Sequence, residues 1–359
     1  MKNARKSLLT ILAGPALLAF SMPTGDVGFH PAVGTVLTKS YETSAEVILD
    51  EMSIVMNGQE MDPDMMQMDM SISASTTIVV TDEYAAVDGS RPTKLMRTYG
   101  AVESSSSTSM SNAFMGDMDM NLSGESELQG LTVVFTWNEE EGDYTLEFDG
   151  DEGDEELLEG LVEDTDLRGF LPTEDVSPGD TWEIETEEMR KVLAFGGALK
   201  IEFDTSELPE EMRGFGSGPP PSPDAFLGDL EGTVTAEYVE NRQEDGVAVA
   251  VIKISCEISS AKDMTDFFKE MMEDGEMPEG FDMEMEVHSA DNEYEFEGEG
   301  LLLWNLEAGH VYSFELRGSG TTTMDMAMAM TVQGNDMDFE QMFVMSSDET
   351  ITITTSSGE

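Results

Sequence analysis

Methionine is the chain's most unusual chemical resource: 29 residues, gathered in Met52–Met70, Met110–Met120, Met264–Met285 and Met324–Met345. A thioether sulfur is soft and polarizable, and two or three of them in an oxidising compartment can ligate Cu(I) or Ag(I). The same side chain is also a flexible apolar filler. Spacing does not separate the two roles. Met68-Asp69-Met70, Met118-Asp119-Met120, Met283-Glu284-Met285 and Met326-Ala327-Met328-Ala329-Met330 alternate with period two, which puts each set of sulfurs on one face of a β-strand. A tightly specified core draws on Leu, Ile, Val and Phe, so the bias to methionine points to an adaptable surface that takes an apolar or amphiphilic guest. Its candidate lining is Met68, Met70, Met118, Met120, Met283, Met285, Met326, Met328 and Met330, with Phe267 and Met271 from an amphipathic helix. Histidine often accompanies methionine in metal-handling segments, and here it is confined to His30, His288 and His310. A Cu(I) protein is therefore the alternative reading rather than the first, and no cofactor or metal is assigned.

The other candidates are weaker. Asp149-Gly150-Asp151-Glu152-Gly153-Asp154-Glu155-Glu156 has carboxylates enough for Ca²⁺, but Asp154 stands where an EF-hand turn needs glycine. An acidic helix start accounts for the same residues. The chain has no Gly-x-Ser-x-Gly elbow, His-Glu-x-x-His, phosphate-binding loop or Gly-x-Gly-x-x-Gly. Asp204-Thr205-Ser206 only approaches the aspartic-protease triplet. Among 76 acids, pairs at glycosidase spacing arise by chance, so no residue is assigned as catalytic and the chain reads as a non-enzyme. Cys256 alternates with Ile252 and Ile254 and reads as a buried strand thiol; as the single cysteine it excludes an internal disulfide. Trp182, after a Pro-Gly-Asp turn, is expected to plug the junction between two halves of the chain.

Seventeen Lys and Arg face the 76 Asp and Glu, for a net charge of -59 over 359 residues. Such a surface repels polyphosphate backbones and excludes nucleic acid as a partner. It is an adaptation expected of a marine or salt-adapted host, because screening by salt offsets the self-repulsion of the compact state. Lys2, Arg5 and Lys6 followed by an apolar run from Leu8 to Phe20 read as a secretory signal peptide. Ala19 and Ser21 fit cleavage after Ser21, which gives a secreted or periplasmic protein. The run is too short to span a bilayer, and no later segment is apolar enough to do so.

The elements that must position these residues are strands. From Gly34 onward period-two alternation dominates, as in Thr233-Val234-Thr235-Ala236-Glu237-Tyr238 and Ile351-Thr352-Ile353, giving one buried and one wet face, as in an antiparallel meander. Three short amphipathic helices interrupt it, near Asp154, over Thr186 to Phe195 and over Asp263 to Met272. The fold class is mainly β (α+β): curved antiparallel sheets in two similar half-barrel lobes, with the helices on one face. The division is a signal peptide at 1–21, an N-terminal β-rich lobe at 22–205, a Pro/Gly-rich linker or loop at 206–228 and a C-terminal β-rich lobe at 229–359. Two echoes relate the halves. Trp137-Asn138-Glu139-Glu140-Glu141-Gly142 matches Trp304-Asn305-Leu306-Glu307-Ala308-Gly309, and Leu128-Gln129-Gly130 matches Leu230-Glu231-Gly232. Duplication and convergent hairpin chemistry both explain them.

The stretch Asp154-Glu155-Glu156-Leu157-Leu158-Glu159-Gly160-Leu161, with Leu171-Pro172, Val176-Ser177-Pro178-Gly179-Asp180-Thr181-Trp182 and Glu299-Gly300-Leu301-Leu302-Leu303-Trp304, resembles uncharacterised secreted proteins of planctomycete-like bacteria. The resemblance implies an extracytoplasmic β-rich fold similar to lipoprotein-carrier half-barrels, and it brings no activity with it. The reading is thus a secreted or periplasmic binding protein for a lipid or other amphiphile. A structural, envelope-associated module and a Cu(I) or Ca²⁺ binder are the alternatives.

Overall fold

The computed structural model describes residues 27–61, 68–112, 116–150, 153–206, 226–274, 283–332 and 335–358. The expected signal peptide at 1–21 and most of the Pro/Gly-rich segment at 206–228 lie outside them. The alternating sequence forms strands β1 (Val36–Met56), β2 (Gln59–Glu60), β3 (Met68–Asp88), β4 (Arg91–Asn112), β5 (Gly116–Ser126), β6 (Thr132–Asn138) and β7 (Asp143–Phe148). There follow β8 (Thr181–Ile184), β9 (Ile201–Phe203), β10 (Leu230–Glu244), β11 (Val247–Asp263), β12 (Met283–Asn305), β13 (His310–Val332) and β14 (Asn335–Ser357).

All fourteen strands belong to one curved, unclosed sheet in the order β7-β6-β4-β3-β1-β14-β13-β12-β11-β10-β8, with β2 on β1 and β5 between β4 and β9. Each described pairing is antiparallel, so the sheet is mainly β as its alternation predicts. Strands β1–β7 and β9 make one flank of this sheet, and β10–β14, joined at the far edge by β8, make the other. They meet where β1 pairs with β14 along nearly their whole lengths, Leu37 opposite Ser357 and Met56 opposite Phe339. The longest strands have 23 residues, or roughly 75 Å at about 3.3 Å per residue.

Along its length the sheet's inner face changes character. At one end it is covered by residues 27–35 and 153–200, and a core fills the space between. Tyr41 of β1 stacks on Phe195 of the cover with centroids 4.7 Å apart, and Phe170 meets Phe314 of β13 edge-on at 6.0 Å. Phe170, Phe195 and Phe314 are buried, and each contributes about 1.5–3 kcal/mol by leaving water. The cover holds two of the three expected helices as short turns. Glu155–Leu158 is capped by the Asp154 carboxylate, which accepts from Glu156 N at 3.0 Å, so Asp154 is a cap. Thr186–Met189 runs into Arg190–Leu193 and stops before Gly196-Gly197.

Trp182 lies on the edge strand β8, where its Nε1 donates to Phe170 O at 3.0 Å. It ties the cover to the sheet's rim, and opposite Ala236 it stands where β8, from the first half of the chain, pairs with β10 of the second. Cys256 is free and buried, with its thiol pushed up to about 11 by burial, as expected of a strand thiol in a core.

The first echo is the same hairpin turn twice. Gly142 N donates to Asn138 O and Gly309 N to Asn305 O, both at 2.9 Å. The side chains of Asn138 and Asn305 accept from Glu140 N and Glu307 N. Both glycines have positive φ, 72° and 67°, which a Cβ would strain. The second echo does not correspond in structure: Gly130 sits in a turn, whereas Gly232 lies within β10.

Candidate functional site: a methionine-lined sheet face

Beyond the cover the strands continue for about ten residues, and their register decides which side chains share a face. Residues directly opposed in an antiparallel ladder point the same way, and alternate residues of one strand do too. From the buried Tyr41, Ile78, Phe314 and Ile353, the inner face runs up β3 through Ile72, Met70 and Met68 and across to Met110 of β4 and Met118 and Met120 of β5. On the other flank it runs through Met324, Met326, Met328 and Met330 of β13, Met345, Phe343, Phe339 and Met337 of β14, and Met285 and Val287 of β12. In β1 the ladder register shifts between Leu49 and Glu51, after which Met52, Ile54 and Met56 face inward.

The expected site residues thus come together. Met68, Met70, Met118, Met120, Met285, Met326, Met328 and Met330 occupy one continuous face, Met328 buried and the others partly so. Met283 occupies β12 opposite Val332, its side chain lying outside the described residues. The third expected helix is Thr265–Asp274. Phe267 and Phe268, with Phe226, pack on Val287, Ala290 and Met326, so this helix covers the inner face at the β12 rim. Met264 precedes the helix and is buried, its N–H donating to Ala290 O at 2.7 Å. Met271 does not join the site. It is 36% exposed although it follows Phe267 by one turn on the same side of the helix.

Charge divides sharply between the two faces of this region. Inward positions of β1 from Met52, β3 from Met68 to Ala74, β4 from Ser106 to Met110, β5 from Met118 to Leu122, β13 from Thr322 to Met330 and β14 from Met337 to Met345 hold no ionisable side chain. The outward positions between them carry Asp69, Asp117, Asp119, Asp325, Asp338 and Glu340. The alternation that builds the strand therefore also sorts apolar sulfur from carboxylate. Sequence reading missed Met110, Met337, Met345, Phe339 and Phe343 as members of this face. Their alternation was visible, but their partners across the ladder were not.

At the covered end a buried ionic network was also missed. Lys39, Asp82 and Arg97 stand at inward positions of β1, β3 and β4, each almost inaccessible to water. The Asp82 carboxylate accepts from Lys39 Nζ at 2.8 Å, Arg97 Nε at 2.7 Å, Arg97 Nη2 at 3.0 Å and Thr165 Oγ1 at 3.1 Å. Lys39 Nζ also lies 2.7 Å from Asp166, and Arg97 donates to the carbonyls of Val162 and Glu163. Burial would raise the Asp82 carboxyl, but Arg97 and Lys39 outweigh it and hold it well below the usual carboxylate range. Since Thr165, Asp166 and both carbonyls belong to the cover, the network bolts cover to sheet.

A neighbouring open cleft of about 950 Å³ is lined by Arg91, Trp137, Tyr144, Asp164, Arg168 and Lys191. Its cations are engaged. Arg168 pairs with Glu163 and Asp164, Lys191 with Asp164 and Glu188, and Arg91 lies 3.9 Å over the Trp137 ring. Burial pushes the Glu163 carboxyl up to about 7 despite Arg168, and the nearby charges of Asp164 and Asp166 add to the rise. The described residues contain no set of three His, Cys, Asp or Glu placed to hold a metal, and none of their helices is long and apolar enough to cross a membrane.

No protein-family model matches the chain, and no curated protein matches it. Solved structures that overlap it include the outer membrane protein OprG from Pseudomonas aeruginosa, at 7% identity over 90% of this chain and 97% of that one, with a TM-score of 0.23. The COG4313 outer membrane channel from Pseudomonas putida F1 overlaps at 9% identity over 91% and 99%, with a TM-score of 0.17. Pseudomonas putida OprB overlaps at 8% identity over 87% and 92%, with a TM-score of 0.18. Overlap at these scores carries no argument about function.

Proposed function

We propose that the protein is a non-enzymatic binding protein of the periplasm or cell exterior that seats the apolar part of an amphiphile, such as an acyl chain, on its methionine-lined inner face. The observation that carries this reading is the division of charge. A broad inner surface without ionisable groups is rich in the apolar side chain that adapts most readily to differently shaped guests, while the carboxylates stand on the opposite face. The leader-like N-terminus and the resemblance to secreted bacterial proteins support that location.

The test is to secrete the chain in a salt-adapted host, purify it without detergent and analyse an organic extract by mass spectrometry, then titrate the stripped protein with a fluorescent fatty acid. A stoichiometric amphiphile, displaced by the fatty acid and no longer retained when Met328→Asp places a carboxylate on the face, supports the reading. A clean extract with no fatty-acid binding by folded protein overturns it in favour of a structural, envelope-associated module.

A further inference from the structure

The register of the sheet lines up methionines in a way that an apolar lining does not require. Met70, Met110 and Met118 are directly opposed on the adjacent strands β3, β4 and β5. On the other flank Met285, Met330 and Met337 are directly opposed on β12, β13 and β14. Each set is one row across three neighbouring strands. The next row inward from the second set is Val287, Met328 and Phe339, so other apolar residues serve the same face one step away.

We propose that each row is a binding site for a soft monovalent metal ion, Cu(I), held by three thioethers. Directly opposed residues have Cβ atoms about 4.5–5.5 Å apart, and an unbranched methionine can swing its sulfur across that gap. Three sulfurs, one from each strand, can therefore converge on an ion above the central strand. The six methionines of the two rows are only partly buried, so an ion reaches them from solvent. The donor set is selective by what it lacks. With no carboxylate or imidazole on the inward positions beside it, the row offers nothing to Ca²⁺ or Mg²⁺ and little to Zn²⁺, whereas thioether suits Cu(I). Thioethers carry no proton at any ordinary pH, so binding here does not compete with protonation as it does at Cys or His ligands. The net charge of -59 concentrates cations at the surface. This inference does not rest on the amphiphile reading, since it needs the sulfur atoms and the other needs only the apolar surface.

The experiment is an anaerobic titration of the purified chain with Cu(I), kept reduced by ascorbate, in competition with the chromophoric chelator bicinchoninate. Two ions per chain are expected, with X-ray absorption reporting sulfur neighbours alone and an affinity unchanged from pH 5 to pH 8. Met110→Leu and Met330→Leu each replace the central sulfur of one row while keeping apolar volume. Each should bind one ion, and the double variant none, with circular dichroism unaltered. Failure to compete with the chelator, nitrogen or oxygen in the coordination shell, or undiminished copper in the double variant overturns the proposal. Copper binding without fatty-acid binding would sink the amphiphile reading alone, and the reverse would sink this one alone.

Discussion

Replacing Asp82 by alanine tests whether the covered end of the sheet is held by charge. The carboxylate accepts four hydrogen bonds, three of them from Lys39 and Arg97. Its removal leaves two buried cations with Asp166 as the remaining carboxylate in salt-bridge contact with Lys39. Breaking a buried ion pair by deleting one partner costs about 3–5 kcal/mol, and nothing in this site lets water in to soften the loss. Denaturant unfolding should be followed by far-UV circular dichroism and by tryptophan fluorescence, since Trp182 and Trp304 touch the cover through hydrogen bonds to Phe170 O and Gly28 O. A loss of about 3–5 kcal/mol is expected, with new proteolytic cuts confined to residues 153–200. Asp82→Asn keeps an acceptor and should fall between wild type and alanine. Because the folded carboxyl titrates below its usual range, this stabilisation is complete above the unfolded value of about 3.9 and is lost as pH falls toward the folded one. A loss under about 1 kcal/mol at pH 7, or an alanine variant as acid-sensitive as wild type, would refute the reasoning.

Three further outcomes follow from the same structure. Glu163 titrates near 7 in the folded chain, so wild-type stability should decline as pH rises from about 4.3 toward 7 and then level off; Glu163→Gln should remove that slope and gain roughly 1–3 kcal/mol at pH 8, as read from urea midpoints across pH. The melting temperature should rise steeply between 0.1 and 2 M NaCl as the surface charge is screened, and a curve flat in salt would remove the case for salt adaptation. Gly318→Ala would drive a Cβ onto the Phe296 ring and to 2.5 Å from Glu297 O, and should cost about 1–3 kcal/mol in thermal unfolding.

What could be read from the residues was the local part. Alternation fixed the strands and which side chains share a face, and the apolar stripe of Phe267 and Phe268 marked the helix that lies on β12. Alternation within one strand is blind to its neighbours, so neither the union of the halves through β1 and β14 nor the methionine rows could be seen before pairing was known. Lys39, Asp82 and Arg97 left a legible trace that was passed over. Each falls on the inward beat between apolar residues, as in Leu37-Thr38-Lys39-Ser40-Tyr41 and Leu95-Met96-Arg97-Thr98-Tyr99, and a charge on that beat must be paired. Met271 was misplaced because a helical stripe gives the direction of the apolar side but not how far along the helix its packing extends.

The pairing of β1 with β14 sets the timing of assembly. Leu37 and Ser357 are 320 positions apart along the chain, so the middle of the sheet is the contact of greatest loop length, and such contacts form slowly. Until β14 arrives, each flank stands as a separate half-sheet with a long bare edge, β1 on one side and β13 on the other. Bare edges of that length recruit other chains. The topology that delays folding therefore makes the chain most vulnerable to aggregation in the interval just before its final strand docks.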